Sequence, residues 1–197
     1  MANTIDISEV LDRQRFGAFH LSLLVLSFLL TTIDGYDVIA VAFVAPVLVK
    51  EWSLDPAILG PLFGSGLFGG LFGPLIFGYC ADRWGRKYTT IFGAVLFGLL
   101  TLAQVWTTSI GELTLLRFLA GIGIAGTIPM LLALNTEYAP KRIRATVTAL
   151  SFLGLAVGGI VAGLVAVQFM GQFGWPVLFW TGGIAPIVLA DRKSTRL

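Results

Sequence analysis

An all-α membrane protein with six transmembrane helices is the fold class that this sequence predicts. Of its 197 residues, 56% are hydrophobic and 12% are charged, whereas a soluble domain carries about 25% charged residues. Six apolar stretches approach or exceed the roughly 20 residues that cross a bilayer as a helix. They are continuously apolar rather than alternating, which argues against strands. We therefore expect lipid to be the solvent around most of the chain.

The six predicted spans follow one another with short polar connections. They cover residues 16–46, 58–80, 88–107, 113–135, 145–170 and 176–190. Together they predict one transmembrane bundle over residues 16–190. Residues 1–15 mix acidic and basic side chains, and the apolar run that follows is too long for a signal peptide. Residues 191–197 form a short polar tail, which we interpret as the end of a truncated protein.

Basic residues in the loops predict the orientation of the bundle. Eight of them fall in the N-terminal segment and in the loops that follow the second and fourth spans: Arg13, Arg15, Arg83, Arg86, Lys87, Lys141, Arg142 and Arg144. The alternate loops hold Lys50 alone. The positive-inside rule then places the N-terminus in the cytoplasm. Trp52, Trp106 and Trp175 fall at the opposite helix ends, where interfacial aromatic residues are expected.

Glycine residues four positions apart recur in two of the spans. The pairs are, in the second span, Gly60 and Gly64, Gly66 and Gly70, and Gly69 and Gly73, and in the fifth span Gly154 and Gly158, then Gly159 and Gly163. In lipid, helices associate by close backbone packing, which small residues permit. The spacing therefore predicts tight helix contacts and requires no further function.

Three charged residues lie within the predicted spans. Asp34 and Asp37 are three positions apart in the first span and share one helix face. Arg117 lies near the start of the fourth span. At a rise of about 1.5 Å per residue, Asp37 lies about 12 Å and Arg117 about 6 Å from the outer ends of their spans. These depths permit contact between Asp37 and Arg117.

Charges inside a membrane are costly, and they usually serve a function. One interpretation is a substrate and proton site, in which a desolvated carboxyl group takes and releases protons. Arg117 would offer its forked donors to a substrate carboxylate. The alternative is a static ion pair that holds two helices together. The sequence favours the functional interpretation.

A tight, highly charged loop joins the second and third spans. The segment GYCADRWGRK supplies Gly78, Asp82, Arg83, Gly85, Arg86 and Lys87. Glu137 ends the fourth span on the same side, where Arg83 or Arg86 is an available partner. Positive-inside topology alone would explain the charges, but not the density of glycine and alternating charge.

GYCADRWGRK resembles the loop signature of the major facilitator superfamily, and Arg117 with Gly121 and Gly126 resembles the motif of its fourth helix. DGYD in the first span, GPLFGSGLFGGLFG in the second and EYAPKRIRAT after the fourth are similar to the aromatic acid:proton symporter family. The resemblance covers residues 15–190. It implies the N-terminal bundle of a major facilitator fold, built from two inverted three-helix repeats.

The resemblance also implies a function. Members of the family carry benzoate or hydroxybenzoates with protons across the bacterial inner membrane. Asp34, Asp37 and Arg117 would bind proton and substrate, with Tyr36 in the wall around the aromatic ring. The charged loop, with Glu137, would act in the conformational change. The implied partners are the lipid bilayer, protons, a small organic anion and a missing C-terminal six-helix half.

Other functions are less consistent with the residues. One Cys and one His allow neither a disulfide framework nor a Cys/His metal site, and we expect no cofactor and no nucleic-acid partner. We interpret Cys80 as a small packing residue and His20 as packed or interfacial. An intramembrane aspartyl protease needs aspartates on facing helices, so we expect no enzyme activity. A carrier of a sugar, an aliphatic acid or a nicotinate-like solute stays open, as does a non-transporting fragment.

Overall fold

The computed structural model describes residues 17–138, 140 and 142–194, and every regular element in these ranges is helical. Residues 1–16 and 195–197 lie outside these ranges. The predicted N-terminal segment therefore also lies outside the described residues. Six α-helices occur within these ranges, in this order: α1 Ala18–Glu51, α2 Leu59–Trp84, α3 Arg86–Ala103, α4 Ile110–Tyr138, α5 Arg144–Phe173 and α6 Pro176–Ser194. Short 3-10 turns cover Pro56–Ile58 before α2 and Gln104–Trp106 after α3.

Each predicted span corresponds to one helix, which confirms the fold class. The first five helices are long and apolar enough to cross a membrane, and α6 contains the shorter apolar stretch Pro176–Leu189. The helices extend beyond the predicted bounds. The helix α1 continues through Pro46 to Glu51, because a helix within a bundle tolerates a proline. The helix α6 reaches Ser194, four residues into the segment predicted as a polar tail.

The helix pairings repeat between the two halves of the chain. The most extensive contacts join α1 to α5 and α2 to α4, followed by those of α3 with α4 and α6. If α1 is exchanged with α4 and α2 with α5, the α1–α5 pair becomes the α4–α2 pair. This exchange is expected of two inverted three-helix repeats. We call the end of the bundle that carries Arg83, Arg86 and Lys87 the basic end, and the other the opposite end.

Glycines lie where the paired helices approach most closely. At Gly73 on α2, an added Cβ atom would lie 2.6 Å from the carbonyl oxygen of Ile122 on α4. At Gly158 on α5, it would lie 2.6 Å from the amide nitrogen of Tyr36 on α1. Both atoms belong to backbone, so a methyl group fits only if the helices separate. The spacing therefore marks tight packing at these glycines, as the sequence predicts, but not at Gly60 and Gly64, where an added Cβ atom would meet nothing within 4 Å.

A single residue, Gly85, connects α2 to α3 at the basic end. Its φ angle is 87°, a conformation that glycine adopts without the penalty that a side chain would impose. Its amide donates to the carbonyl oxygen of Ala81 at 2.9 Å, and its own carbonyl accepts from the hydroxyl of Thr89 at 3.0 Å. Gly85 therefore ends one helix and caps the next.

The glycine packing makes a first prediction. We expect Gly158→Ala to destabilise the chain by about 1–3 kcal/mol, since the methyl group overpacks the α1–α5 contact. Gly171→Ala on the same helix is the control, because an added Cβ atom there meets nothing within 4 Å. Thermal unfolding of the two purified variants in detergent measures the difference. Equal melting temperatures would contradict the packing argument.

Candidate functional site

The centre of the site is an ion pair between α1 and α4. Nη1 of Arg117 donates to Oδ1 of Asp37 at 2.8 Å. The residues are 6% and 7% exposed, respectively. Asp37 lies 14 residues before the end of α1, and Arg117 lies seven residues after the start of α4. Because α1 and α4 run in opposite directions, both groups fall in the half of the bundle nearer the opposite end.

Close packing of α2 against α4 positions Arg117. Gly121 follows Arg117 by one helical turn and packs directly against the backbone of Gly66 on α2. With no side chain at Gly66, the guanidinium lies beside the α2 backbone on its way to Asp37. An added Cβ atom at Gly66 would be 3.6 Å from Nη2 and 3.9 Å from Nε of Arg117.

Most donors of the Arg117 guanidinium have no partner among the residues that the structure describes. The side chain of Arg117 makes one hydrogen bond to another described residue, from Nη1 to Asp37. Nε is buried without a partner. An unpaired buried donor is costly, about 1–3 kcal/mol and more for a charged group. Arg117 therefore keeps spare capacity to bind an anion.

Asp34 lies one helical turn before Asp37 and is half-buried. It interacts electrostatically with both Asp37 and Arg117, and no side-chain hydrogen bond joins it to another residue that the structure describes. With all three groups ionised, the cluster has a formal charge of −1. The structure thus brings together the three charged residues that the sequence singled out.

Tyr36 lies between α1 and α6. Its hydroxyl group shares a hydrogen bond with the hydroxyl group of Thr181, and its ring packs against Gly182. The side chain is 6% exposed. The expectation that Tyr36 forms part of the wall around a substrate ring stays a prediction.

The charged loop lies at the basic end, far from Arg117 along the bundle. Asp82, Arg83 and Arg86 are exposed there, Lys87 is half-exposed, and Gly78 is half-buried within α2. Glu137 belongs to α4, but its side chain lies outside the described part of the structure. The predicted pairing of Glu137 with Arg83 or Arg86 therefore stays a prediction.

A buried polar cluster joins α1, α4 and α5, and the sequence reasoning missed it. The amide nitrogen of the Asn135 side chain donates to the hydroxyl oxygens of Ser27 at 2.8 Å and Ser151 at 3.1 Å. The hydroxyl of Thr31 donates to the backbone carbonyl of Ser151. The one detectable signal was an asparagine at the end of an apolar run. The cluster fixes three helices to one another.

No group of three or more His, Cys, Asp or Glu side chains in the described ranges is arranged to hold a metal ion. His20 is buried at the start of α1, and its Nδ1 accepts from the amide of Gly17 at 3.3 Å. Cys80 is a half-buried free thiol. Neither residue takes part in the Asp34, Asp37 and Arg117 cluster.

Residues 26–190 match the family model described as Major Facilitator Superfamily. The chain belongs to this superfamily. It is 36% identical over 186 residues to a 4-hydroxybenzoate transporter of Pseudomonas aeruginosa, covering 94% of this chain and 42% of that protein. It is 35% identical over 194 residues to a benzoate transport protein of Acinetobacter baylyi, covering 96% of this chain and 41% of that protein.

Solved structures show the same fold. The inward-open xylose transporter XylE of E. coli superposes with a TM-score of 0.78 at 20% identity, over 90% of this chain and 48% of that one. The named relatives are transporters, and the resemblance of this multi-pass membrane chain to aromatic acid transporters is confirmed. The chain spans about two fifths of the length of the transporters described above.

The ion pair makes a second prediction. We expect Arg117→Ala to lower the free energy of unfolding by about 3 kcal/mol, because Asp37 is left buried without its partner. Asp37→Ala combined with Arg117→Ala should cost less than the sum of the single changes, by at least about 1 kcal/mol. Denaturant titration of the chain in detergent micelles measures all three variants.

Leu115→Ala is the control for this cycle, because Leu115 lies two residues from Arg117 on α4 and is uncharged and 59% exposed. It should change the unfolding free energy by less than about 1 kcal/mol. Strict additivity of the Asp37 and Arg117 changes would contradict a coupled pair.

Proposed function

We propose that this chain is the substrate- and proton-binding half of a proton-coupled transporter for an aromatic carboxylate such as benzoate or hydroxybenzoate. The observation that carries the proposal is the buried pair of Asp37 and Arg117, with spare donors on Arg117 and a second acid, Asp34, beside it. The names of the similar transporters, for 4-hydroxybenzoate and benzoate, support the choice of substrate class.

Arg117 is the group that binds the carboxylate. Its charge persists at every physiological pH, and its planar fork matches the two oxygens of a carboxylate. Because Asp37 uses one of its donors, the substrate does not have to displace that contact completely. Burial strengthens the attraction, since the effective dielectric constant within a bundle is far below that of water.

The charge of the cluster supports the proposed coupling to protons. Two carboxylates and one guanidinium give −1, and a bound substrate anion would bring the site to −2. A proton on Asp34 or Asp37 removes one of these charges, so the proton and the anion each favour binding of the other. By linkage, this coupling is reciprocal. We propose Asp34 as the first proton acceptor, because it is half-buried and not engaged with Arg117.

Transport requires two conformations and therefore a second bundle. In the proposed cycle, proton and substrate enter from outside, and the neutralised site favours rocking of this bundle against its partner. Both ligands then leave on the cytoplasmic side, where the proton activity is lower. Ligands shift such an equilibrium only by their differential affinity for the two states. We propose that the charged loop at the basic end contacts the second bundle and that Tyr36 lies near the substrate ring.

The third prediction tests the site. Uptake of labelled benzoate is measured in cells that express the full-length transporter containing this bundle. We expect coupled uptake to be abolished in each of three variants, Asp34→Asn, Asp37→Asn and Arg117→Ala. Abolished means here a fall of at least about 100-fold, which corresponds to roughly 3 kcal/mol lost from a transport step. Thr114→Val on α4, one turn from Arg117 in the sequence, is the control and should transport normally. Normal uptake by all three charge variants would refute the proposal.

Competition and proton flux define the substrate and the coupling. Unlabelled 4-hydroxybenzoate should inhibit benzoate uptake, while xylose, acetate and nicotinate should inhibit it weakly. Addition of benzoate to de-energised cells should make the unbuffered medium more alkaline, because protons enter with the anion. Strong inhibition by one of the other solutes, or uptake without proton movement, would identify a different carrier.

The fourth prediction tests the proposed orientation, with the basic end in the cytoplasm. In a Cys80→Ala background, Asp55→Cys at the opposite end should react with a membrane-impermeant maleimide in intact cells. Lys87→Cys at the basic end should react only after the membrane is permeabilised. The reverse pattern of labelling would invert the topology.

A further inference from the structure

We propose that Gly66 determines substrate specificity by keeping one edge of the Arg117 guanidinium, the edge formed by Nε and Nη2, free for the substrate carboxylate. The inference rests on the proposed function, and it places the substrate carboxylate against one edge of the Arg117 side chain. It also assigns a role to a glycine that otherwise resembles the other packing glycines of α2.

The guanidinium of Arg117 has two distinguishable edges. Asp37 contacts the guanidinium through Nη1 alone. Nε is buried and unpartnered, and Nη2 likewise makes no hydrogen bond to any residue in the described ranges. The Nε and Nη2 donors point in parallel, which is the arrangement that accepts both oxygens of a carboxylate at once.

Gly66 adjoins the edge formed by Nε and Nη2. The atoms nearest to a Cβ built on Gly66 all belong to Arg117: Nη2 at 3.6 Å, and Nε and the carbonyl oxygen at 3.9 Å. Gly66 itself is half-buried, whereas Gly69, one turn further along α2, is buried against Phe118. There is therefore room for a small group beside Gly66, whereas there is none beside Gly69.

The role proposed for Gly66 differs from that of the packing glycines. Contacts of 3.6–3.9 Å are ordinary van der Waals distances, so a methyl group at Gly66 can be accommodated without moving the helices. At Gly73 the added atom would lie 2.6 Å from backbone, and the helices would have to separate. Packing alone thus does not require glycine at position 66, but an open guanidinium edge does.

The mechanism follows from these contacts. A carboxylate that arrives beside Gly66 meets Nη2 first, and it engages Nε as the guanidinium turns about its contact with Asp37. Any side chain at position 66 would cover Nη2 and exclude one carboxylate oxygen. The lost hydrogen bond to a charged donor weakens substrate binding, while a neutral ligand loses little.

The test compares Gly66→Ala with Gly64→Ala in the full-length transporter. Gly64 lies on the same helix, and an added Cβ atom there meets nothing within 4 Å. We expect Gly66→Ala to raise the KM for benzoate about 10-fold, the effect of losing one charge-assisted hydrogen bond, with little change in the maximal rate. Gly64→Ala should match the parent protein. Inhibition by benzamide, which lacks the negative charge, should be equal in both.

Two further variants keep the outcome decisive. Gly66→Ser adds a hydroxyl group that can accept a hydrogen bond from Nη2, and it should also raise KM. Agreement between the two variants would show that the effect is not specific to alanine. Arg117→Lys lacks the fork, so adding Gly66→Ala to it should have no further effect. Melting temperatures in detergent show whether each variant folds.

The outcomes separate the two proposals. Inactive Arg117 variants together with an unchanged KM in Gly66→Ala and Gly66→Ser would overturn the role of Gly66 and leave the proposed function standing. Full uptake by Arg117→Lys and Arg117→Ala would overturn the proposed function itself. A fall in maximal rate with unchanged KM would assign Gly66 to the conformational change and also overturn its role in binding.

Discussion

The contact between Asp37 and Arg117 is the constraint on which the arrangement of the bundle depends. Placing either charge alone inside a bundle costs several kcal/mol, and pairing recovers that cost only with good geometry. The pair is separated by 2.8 Å and buried, so α1 and α4 must keep a fixed depth and rotation relative to each other. The half-buried Asp34 then lies beside this pair as a second acid.

Glycine packing makes that geometry available. The helix α4 approaches α2 most closely where Gly121 packs against the backbone of Gly66, and the guanidinium of Arg117 lies beside this contact. The same kind of approach, at Gly154 and Gly158, holds α5 against α1. At the other end of α4, Asn135 ties α1 and α5 together through two serines. The charged site is therefore supported on both sides by contacts that leave little freedom.

The fold could be predicted from the sequence because each helix that crosses a bilayer needs a continuous run of apolar residues. Continuous apolar runs located all six helices, and the charges that interrupt them located the pair at Asp37 and Arg117. Helix ends were less accurate, because a proline such as Pro46 stops an isolated helix but not one whose backbone is shielded by neighbours. Side-chain direction was the weakest point. Nothing in the order of residues shows that Tyr36 bonds to Thr181 or that Asn135 meets Ser27, because those contacts depend on helix rotation.

The exchange symmetry of the helix pairings has a consequence for how the bundle can deform. Asp37 belongs to the first group of three helices and Arg117 to the second, so the ion pair spans the seam between two structurally equivalent units. The most extensive helix contacts, α1 with α5 and α2 with α4, cross the same seam. A shift of one unit past the other would therefore have to break the ion pair and these close glycine contacts together. The two repeats are thus expected to move as one rigid body, and any large displacement has to occur at the outer surface of the bundle.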